Sequence, residues 1–417
     1  MLFRIDILAF LLPCLLLASA TGAGTLSVNP GADDGATNLA RALKAAADGD
    51  VLILGEGVYP GPLRIVRSVI LRGEGAVIDG GGRGTPVTIA APGVRIEGIM
   101  IRNSGDDISG PDACVYIEPS ATGSVLKGNL LEECAFGIWV HETRDVHLID
   151  NRIFGRKNIR PTDRGNGIHL FNAENLVVRG NTVIDARDGI YVSATEKSLI
   201  DSNITDGVRF GIHYMYSYHN TIRGNQANRN KVGIALMESR NLLVDENRAI
   251  GNRRNGILFR DVQFSDIRKN HLEDNGSGMF FFSSTDNVIV DNAIVNNEIG
   301  LKVWAGTRRN RIEGNLIRGN REQVFFVGAE DQAWGTGGRG NHWGDYLGWD
   351  QDADGIGDRP HRVDSFTAAL LYRFPSSALL LRSPALETLS HLAERLPMLR
   401  KPTVVDHAPI VAEGGPG

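Results

Sequence analysis

The chain has 417 residues, 44 basic and 49 acidic side chains, a formal charge of −5 and 42% hydrophobic residues. That near-neutral balance offers no basic surface of the kind nucleic-acid binding requires. Its three cysteines are too few for a disulfide-built scaffold, so stability has to come from an extended apolar core.

The opening twenty residues carry Arg4, an apolar run from Ile7 to Leu17 and then Ala18-Ser19-Ala20. This pattern predicts a secretory signal peptide over residues 1–20 and therefore export. Cys14 follows Pro13 rather than a small residue, which argues against a lipoprotein anchor, and no later apolar run reaches the ~20 residues of a membrane span. Cys114 and Cys134 remain after cleavage; export permits a disulfide, and spacing alone leaves its formation open. Residues 24–62 read as an N-terminal cap, with Asn38 capping a helix from Leu39 to Ala47, an extended segment Asp50–Leu54 and the turn Gly55–Gly57. Such a helix would cover the unpaired edge that the following sheet exposes.

Residues 63–334 read as a repeat. An asparagine, usually behind Gly or Asp, recurs as Asn129, Asn151, Asn181, Asn203, Asn225, Asn247, Asn270, Asn292 and Asn315, in steps of 22, 30, 22, 22, 22, 23, 22 and 23 residues. In the same rhythm a Gly precedes an apolar/any/apolar triplet, as in Gly189-Ile190-Tyr191-Val192 and Gly233-Ile234-Ala235-Leu236. A fixed period with alternating apolar residues means a solenoid of short strands, and the prediction is an all-β, right-handed parallel β-helix of about 22-residue rungs. Stacked at one corner, the asparagines would bond to one another and to the turn backbone. The 30-residue step carries an insertion from Arg156 to Asp163, with Arg156, Lys157, Arg160 and Pro161, and repeat insertions project from one side, often the binding side.

Period-two geometry sorts the Gly-Ile-x-Val strands. Ile138/Val140, Ile168/Leu170, Ile190/Val192, Ile212/Tyr214, Ile234/Leu236, Ile257/Phe259, Met279/Phe281 and Leu301/Val303 point inward. The outward columns are Trp139, His169, Tyr191, His213, Ala235, Leu258, Phe280, Lys302 and, beside them, His141, Phe171, Ser193, Met215, Met237, Arg260, Phe282, Trp304. An aromatic, Met and His face on an exposed sheet predicts an interaction surface; Trp139, His141, Phe171, Tyr191, Phe280, Phe282 and Trp304, with Arg156 and Arg160 of the insertion, are its candidate partner residues. Met215 and Met237 share a column on consecutive rungs with His213 two residues away, a soft donor set suited to Cu(I). His169 is a fourth candidate copper residue, although it lies two rungs from His213, roughly 9.6 Å by strand spacing.

Residues 335–364 leave the repeat. After Asn341-His342-Trp343-Gly344-Asp345-Tyr346 comes an acidic loop in which Asp350, Asp352, Asp354 and Asp358 stand at positions 1, 3, 5 and 9, Gly355 at 6 and the Ile356 carbonyl at 7. This is the spacing of an oxygen-ligated Ca²⁺ loop, with His361 where an EF-hand has Glu. Residues 365–417 form a tail predicted to hold an amphipathic helix, Pro384 to Leu399, whose Leu386, Leu389, Leu392, Ala393 and Leu396 share a face, a face for the terminal rung or for a partner.

The string His213-Tyr214-Met215-Tyr216-Ser217, the following Ala235-Leu236-Met237, the closing Gly340-Asn341-His342-Trp343-x-Asp345-Tyr346 and the tail from Ser383-Pro384-Ala385-Leu386 to Val405-Asp406 resemble the NosD family, over nearly all of the chain beyond the signal. The resemblance implies a non-enzymatic periplasmic accessory protein of nitrous oxide reductase maturation. It implies work with an ABC ATPase and membrane permease that hold it peripherally at the inner membrane, contact with a copper chaperone lipoprotein and with the reductase, and Cu(I) received or relayed at Met215, Met237 and His213. There is no P-loop, so ATP hydrolysis would belong to a partner. The alternative is a β-helix polysaccharide lyase or epimerase acting on uronate glycans, with His169, His213, Tyr191 and Arg260 as its groups; the Asp-Pro-His string of alginate epimerases is absent. A passive surface solenoid fits the leader and repeats but not the Met/His columns.

Overall fold

The computed structural model describes residues 23–31, 38–328, 331–335, 338–364, 370, 374–380, 383–395 and 402–411; the predicted signal peptide lies outside the described residues. The chain winds into an all-parallel β-solenoid whose three faces are sheets of 14, 12 and 13 strands. One turn shows the plan: Phe210–Met215 lies in the 12-stranded sheet, Thr221–Arg223 in the 14-stranded sheet and Gln226–Asn228 in the 13-stranded sheet. Each strand pairs in parallel with its counterpart one turn away, so Ser193, Met215 and Met237 are register partners.

The corners explain the sequence rhythm. The residue before each ladder asparagine takes the left-handed conformation, with Gly128 at φ 63°, Asp150 at 54°, Gly180 at 66°, Ser202 at 55° and Gly224 at 60°. That region is open to Gly and tolerated by Asp. The asparagine then turns inward and is buried. Asn129 Nδ2 donates to Asn151 Oδ1 at 2.9 Å, Asn151 to Asn181 at 2.9 Å and Asn181 to Asn203 at 3.0 Å. The ladder continues through Asn225, Asn247, Asn270, Asn292 and Asn315 to Asn341. Each amide also donates to a carbonyl of the preceding turn, as Asn225 Nδ2 does to Ile200 at 2.8 Å, so every polar group at this corner is satisfied inside the solenoid. Two further ladders accompany it, through Asn230, Asn252, Asn275, Asn297 and Asn320 and through Asn287, Asn310 and Gln332.

The inward residues named from the sequence are all buried and belong to one continuous apolar core that runs the length of the helix. Cys114 and Cys134, on successive turns with Cα atoms 5.5 Å apart, are joined by a disulfide, the geometry such a bond needs. The N-terminal helix is Asn38–Ala45, starting one residue before and ending two residues before the expected span, and its Leu39 and Leu43 cover the first rungs. Asn38 itself serves Arg41 Nη2, which donates to its Oδ1 at 2.8 Å, and donates to the Asn29 carbonyl at 3.0 Å.

One sequence expectation changes here. Within the insertion, Arg156 does not face outward: its Nη2 donates to the carbonyls of Ser104 at 2.7 Å and of Gly105 and Glu133 at 3.1 Å, and its Nη1 pairs with Asp106, leaving the side chain 15% exposed. Arg164 ties the other end of the insertion, donating to the carbonyls of Asp185 at 2.7 Å and of Lys157 and Ile159 at 3.0 Å. Arg160 alone of the two predicted contact arginines is exposed. In the tail, a strand returns to the end of the solenoid. Pro402–Asp406 pairs antiparallel with His361–Asp364, and Asp406 Oδ2 accepts from Asn341 N at 2.7 Å, Asn341 Nδ2 at 3.2 Å and Trp343 Nε1 at 2.8 Å. The helix Pro384–Arg395 buries Leu386 but leaves Leu389 and Leu392 about half exposed, at 47% and 51%; Leu396 lies outside the described residues.

Candidate functional site

The outward side of the 12-stranded sheet holds a near-continuous line of rings. Tyr116 meets Trp139 edge-on at 6.1 Å between centroids, Trp139 stacks on His169 at 4.4 Å with planes 6° apart, His169 meets Tyr191 at 4.9 Å and Tyr191 meets His213 at 5.0 Å. Register places these residues on successive turns, so rings a strand spacing apart fall naturally into stacked or edge contacts. His141 stacks on Phe171 at 5.4 Å in the adjoining column. Burial, with His141 as a nearby like charge, pushes the His169 imidazole down to about 4, so it is neutral at neutral pH.

His169 and His213 are kept apart by the Tyr191 ring between them. Met215 and Met237 are register partners, half-buried on adjacent strands, and the Tyr191 hydroxyl donates to Met215 Sδ at 3.7 Å. Ala235, opposite His213 on the next strand, is fully covered.

His213 points outward as its position requires, yet it is only 6% exposed. Phe210 packs on its ring at 4.5 Å, and its Nδ1 lies 2.9 Å from Asp188 Oδ2. Asp188, 1% exposed, also receives Arg209 Nε at 2.7 Å and Nη2 at 2.6 Å. Burial works to raise the Asp188 carboxyl, but the hydrogen bonds from Arg209 and His213 outweigh it and hold the group below its usual range. On the far side of the His213 ring, Nε2 is buried with no hydrogen-bond partner. Sequence reasoning missed Asp188, Arg209 and Phe210 because Asp188 and Phe210 open the strands Asp188–Ser193 and Phe210–Met215, ahead of the Gly that begins the alternating triplet, and Arg209 precedes the second of these strands. A signal existed: Asp188 stands as a carboxylate in a register column that continues as Phe210, Val232, Asn255, Ser277 and Ile299.

Toward the C-terminal end of the face, Lys302 Nζ lies over the rings of Phe280 at 4.9 Å, Trp304 at 5.2 Å and Phe325 at 5.7 Å, a cation–π arrangement. Phe282 is half-buried and adjoins Arg260 in register. In the acidic loop, carboxylate oxygens of Asp350, Asp352 and Asp354 come within 4.8 Å of one another, and the neighbouring Asp354 charge raises the Asp352 carboxyl. These three fit a hard cation. Asp358 is turned to the loop backbone instead, accepting from Gln351 N at 2.7 Å, and Ile356 N donates to Asp354 Oδ1 at 2.7 Å.

Fold and face together define a parallel β-helix protein that presents thioether and imidazole groups among aromatic rings. Residues 68–197 match the right-handed β-helix region family, and residues 149–348 match the family described as periplasmic copper-binding protein (NosD). The chain is 44% identical over 385 residues, 88% of it and 90% of the relative, to "Probable ABC transporter binding protein NosD" of Pseudomonas aeruginosa. It is 42% identical over 371 residues, 85% of each chain, to the protein of the same name from Stutzerimonas stutzeri. The chain belongs to the NosD family. Solved structures with a similar fold include a PL6 alginate lyase in complex with a trisaccharide, at TM-score 0.56, 13% identity, 78% of this chain and 86% of that one. Another is the Yersinia enterocolitica family 28 exopolygalacturonase, at TM-score 0.54, 11% identity, 74% of this chain and 78% of that one. At those identities the likeness is one of fold.

Proposed function

We propose that this protein is a non-enzymatic, exported accessory factor that takes Cu(I) as cargo on the outward sheet and passes it toward the copper centre of nitrous oxide reductase. The observation that carries the reading is the buried, unpartnered His213 Nε2 on the same face as the register-paired thioethers of Met215 and Met237. Two thioethers and an imidazole bind Cu(I) in preference to hard cations, and half-exposed thioethers can exchange with a donor protein's ligands without releasing the ion. A copper chaperone lipoprotein would meet the aromatic face around Trp139, His141, Phe171 and Tyr191. An ABC ATPase and permease would hold the protein at the inner membrane, with the exposed Leu389 and Leu392 of the tail helix reaching the permease.

An anaerobic Cu(I) competition titration of wild type against Met215→Leu/Met237→Leu tests this. The expected result is near-stoichiometric uptake by the wild type and at least tenfold weaker binding by the variant, with an unchanged melting curve because both side chains point outward. No uptake by the wild type would overturn the reading. Release of unsaturated uronate from alginate or pectate would favour the lyase alternative, whose support is the Asp188–His213 pair with Arg209 beside it. We also assign the loop around Asp350, Asp352 and Asp354 to a structural Ca²⁺; millimolar Ca²⁺ should raise Tm in the wild type and not in Asp352→Asn.

A further inference from the structure

We propose that Asp188 is the positioning residue of the copper face: it fixes His213 as the tautomer protonated on Nδ1, so that the Nε2 lone pair is the one left free on the sheet face that carries Met215 and Met237. The inference rests on the copper reading above and adds the group that makes His213 a donor.

A neutral imidazole has one N–H and one lone pair, and the partner of one nitrogen decides the role of the other. A carboxylate can only accept, so Asp188 Oδ2 at 2.9 Å places the proton on Nδ1. Arg209 grips both Asp188 oxygens, at 2.7 and 2.6 Å, and the bidentate fork sets the plane of the carboxylate. Phe210 and Tyr191 close on the ring at 4.5 and 5.0 Å, which holds the imidazole in one orientation. The outcome is a buried acceptor, Nε2, with nothing to accept from. Such a group is costly in a finished core and is accounted for when a soft ion is its partner. A carboxylate behind a ligating histidine also raises the basicity of the ligand nitrogen. The column position of Asp188 holds Phe210, Val232, Asn255, Ser277 and Ile299 on later turns, with a second carboxylate only at Glu322. The acid therefore stands one turn before the histidine it serves, not as part of a repeating surface pattern.

The test begins on unmodified, metal-free protein with ¹⁵N-labelled histidine, where long-range ¹H–¹⁵N spectra report the tautomer of His213 directly. The expected signature is Nδ1–H; a proton on Nε2 overturns the proposal without recourse to any variant. Asp188→Asn is the second arm. Its amide can donate to Nδ1 and reverse the tautomer with little change in shape, and Cu(I) affinity should fall about 10- to 100-fold. His213→Ala should show a similar loss, and the double variant no further one, because the two residues act as a unit. An Asp188→Asn protein that keeps its affinity within about twofold while the wild type binds Cu(I) defeats the positioning role and leaves the copper reading standing. A wild type that takes up no Cu(I) defeats the copper reading, and with it the purpose assigned to Asp188.

Discussion

His169 shows what the aromatic face costs and what it gives. Its ring is sandwiched against Trp139 at 4.4 Å and Tyr191 at 4.9 Å, and burial moves its pKa from 6.5 to about 4. In the unfolded chain the imidazole takes up a proton near 6.5, whereas the folded protein does so only near 4. The unfolded state therefore binds more protons in that window, and stability present above pH 6.5 is lost as the pH falls toward 4, by about 3 kcal/mol for the full shift. His169→Phe keeps the stacking and removes the titration, so urea unfolding across this window should show a shallower acid loss in the variant by about that amount. Equal slopes would mean that the ring is charged in the folded protein. At this scale the sequence went part of the way. Alternation put His213, Met215 and Met237 on one face because that depends only on strand parity. The burial of His213 depends on Phe210, Asp188 and Arg209 at the opening of two adjacent strands, and contacts between turns are not readable from alternation within one strand.

Among elements, the insertion is the departure from period that the sequence exposed most clearly and whose role it left most open. Counting residues located the loop; it did not show that Arg156 turns back onto three carbonyls of preceding turns. The reason is that a guanidinium on a loop reads as solvent-facing until the groups it can reach are known. Arg156→Ala would strand the buried carbonyls of Ser104 and Gly105 and should lower stability by about 1–3 kcal/mol. Arg160→Ala, at an exposed position, should stay within about 0.5 kcal/mol. Urea midpoints of the two variants give the comparison, and equal midpoints would show that the insertion is not pinned. The insertion is thus held at both ends, by Arg156 on carbonyls of preceding turns and by Arg164 on the carbonyl of Asp185, just before the strand Ile168–Phe171.

The whole molecule is a one-dimensional stack, in which each turn touches only its neighbours and the ends are the weak points. Its architecture was legible because a period of 22 or 23 residues with left-handed corners admits few other folds. The closure of the C-terminal end was not, since it joins residues 63 and 65 positions apart that no periodicity links. There Asp406 does for the last rung what each asparagine does for the one before it, accepting from Asn341 N, Asn341 Nδ2 and Trp343 Nε1. A carboxylate suits this place because it is an acceptor only, and at the end of the ladder there is no further turn to donate to. Asp406→Ala would leave Asn341 N and Trp343 Nε1 without an acceptor and Asn341 Nδ2 with only the Ile312 carbonyl at 2.9 Å, at about 1–3 kcal/mol for each stranded donor before relaxation. Nearest-neighbour coupling predicts that the damage stays local. Hydrogen exchange should speed up in the strands Arg311–Glu313, Leu316–Arg318 and His342–Trp343, while amides around Asn181 to Asn225 keep wild-type protection. Uniformly faster exchange would mean that the solenoid unfolds as a single unit, and unchanged exchange would mean that the last rung is closed by something other than Asp406.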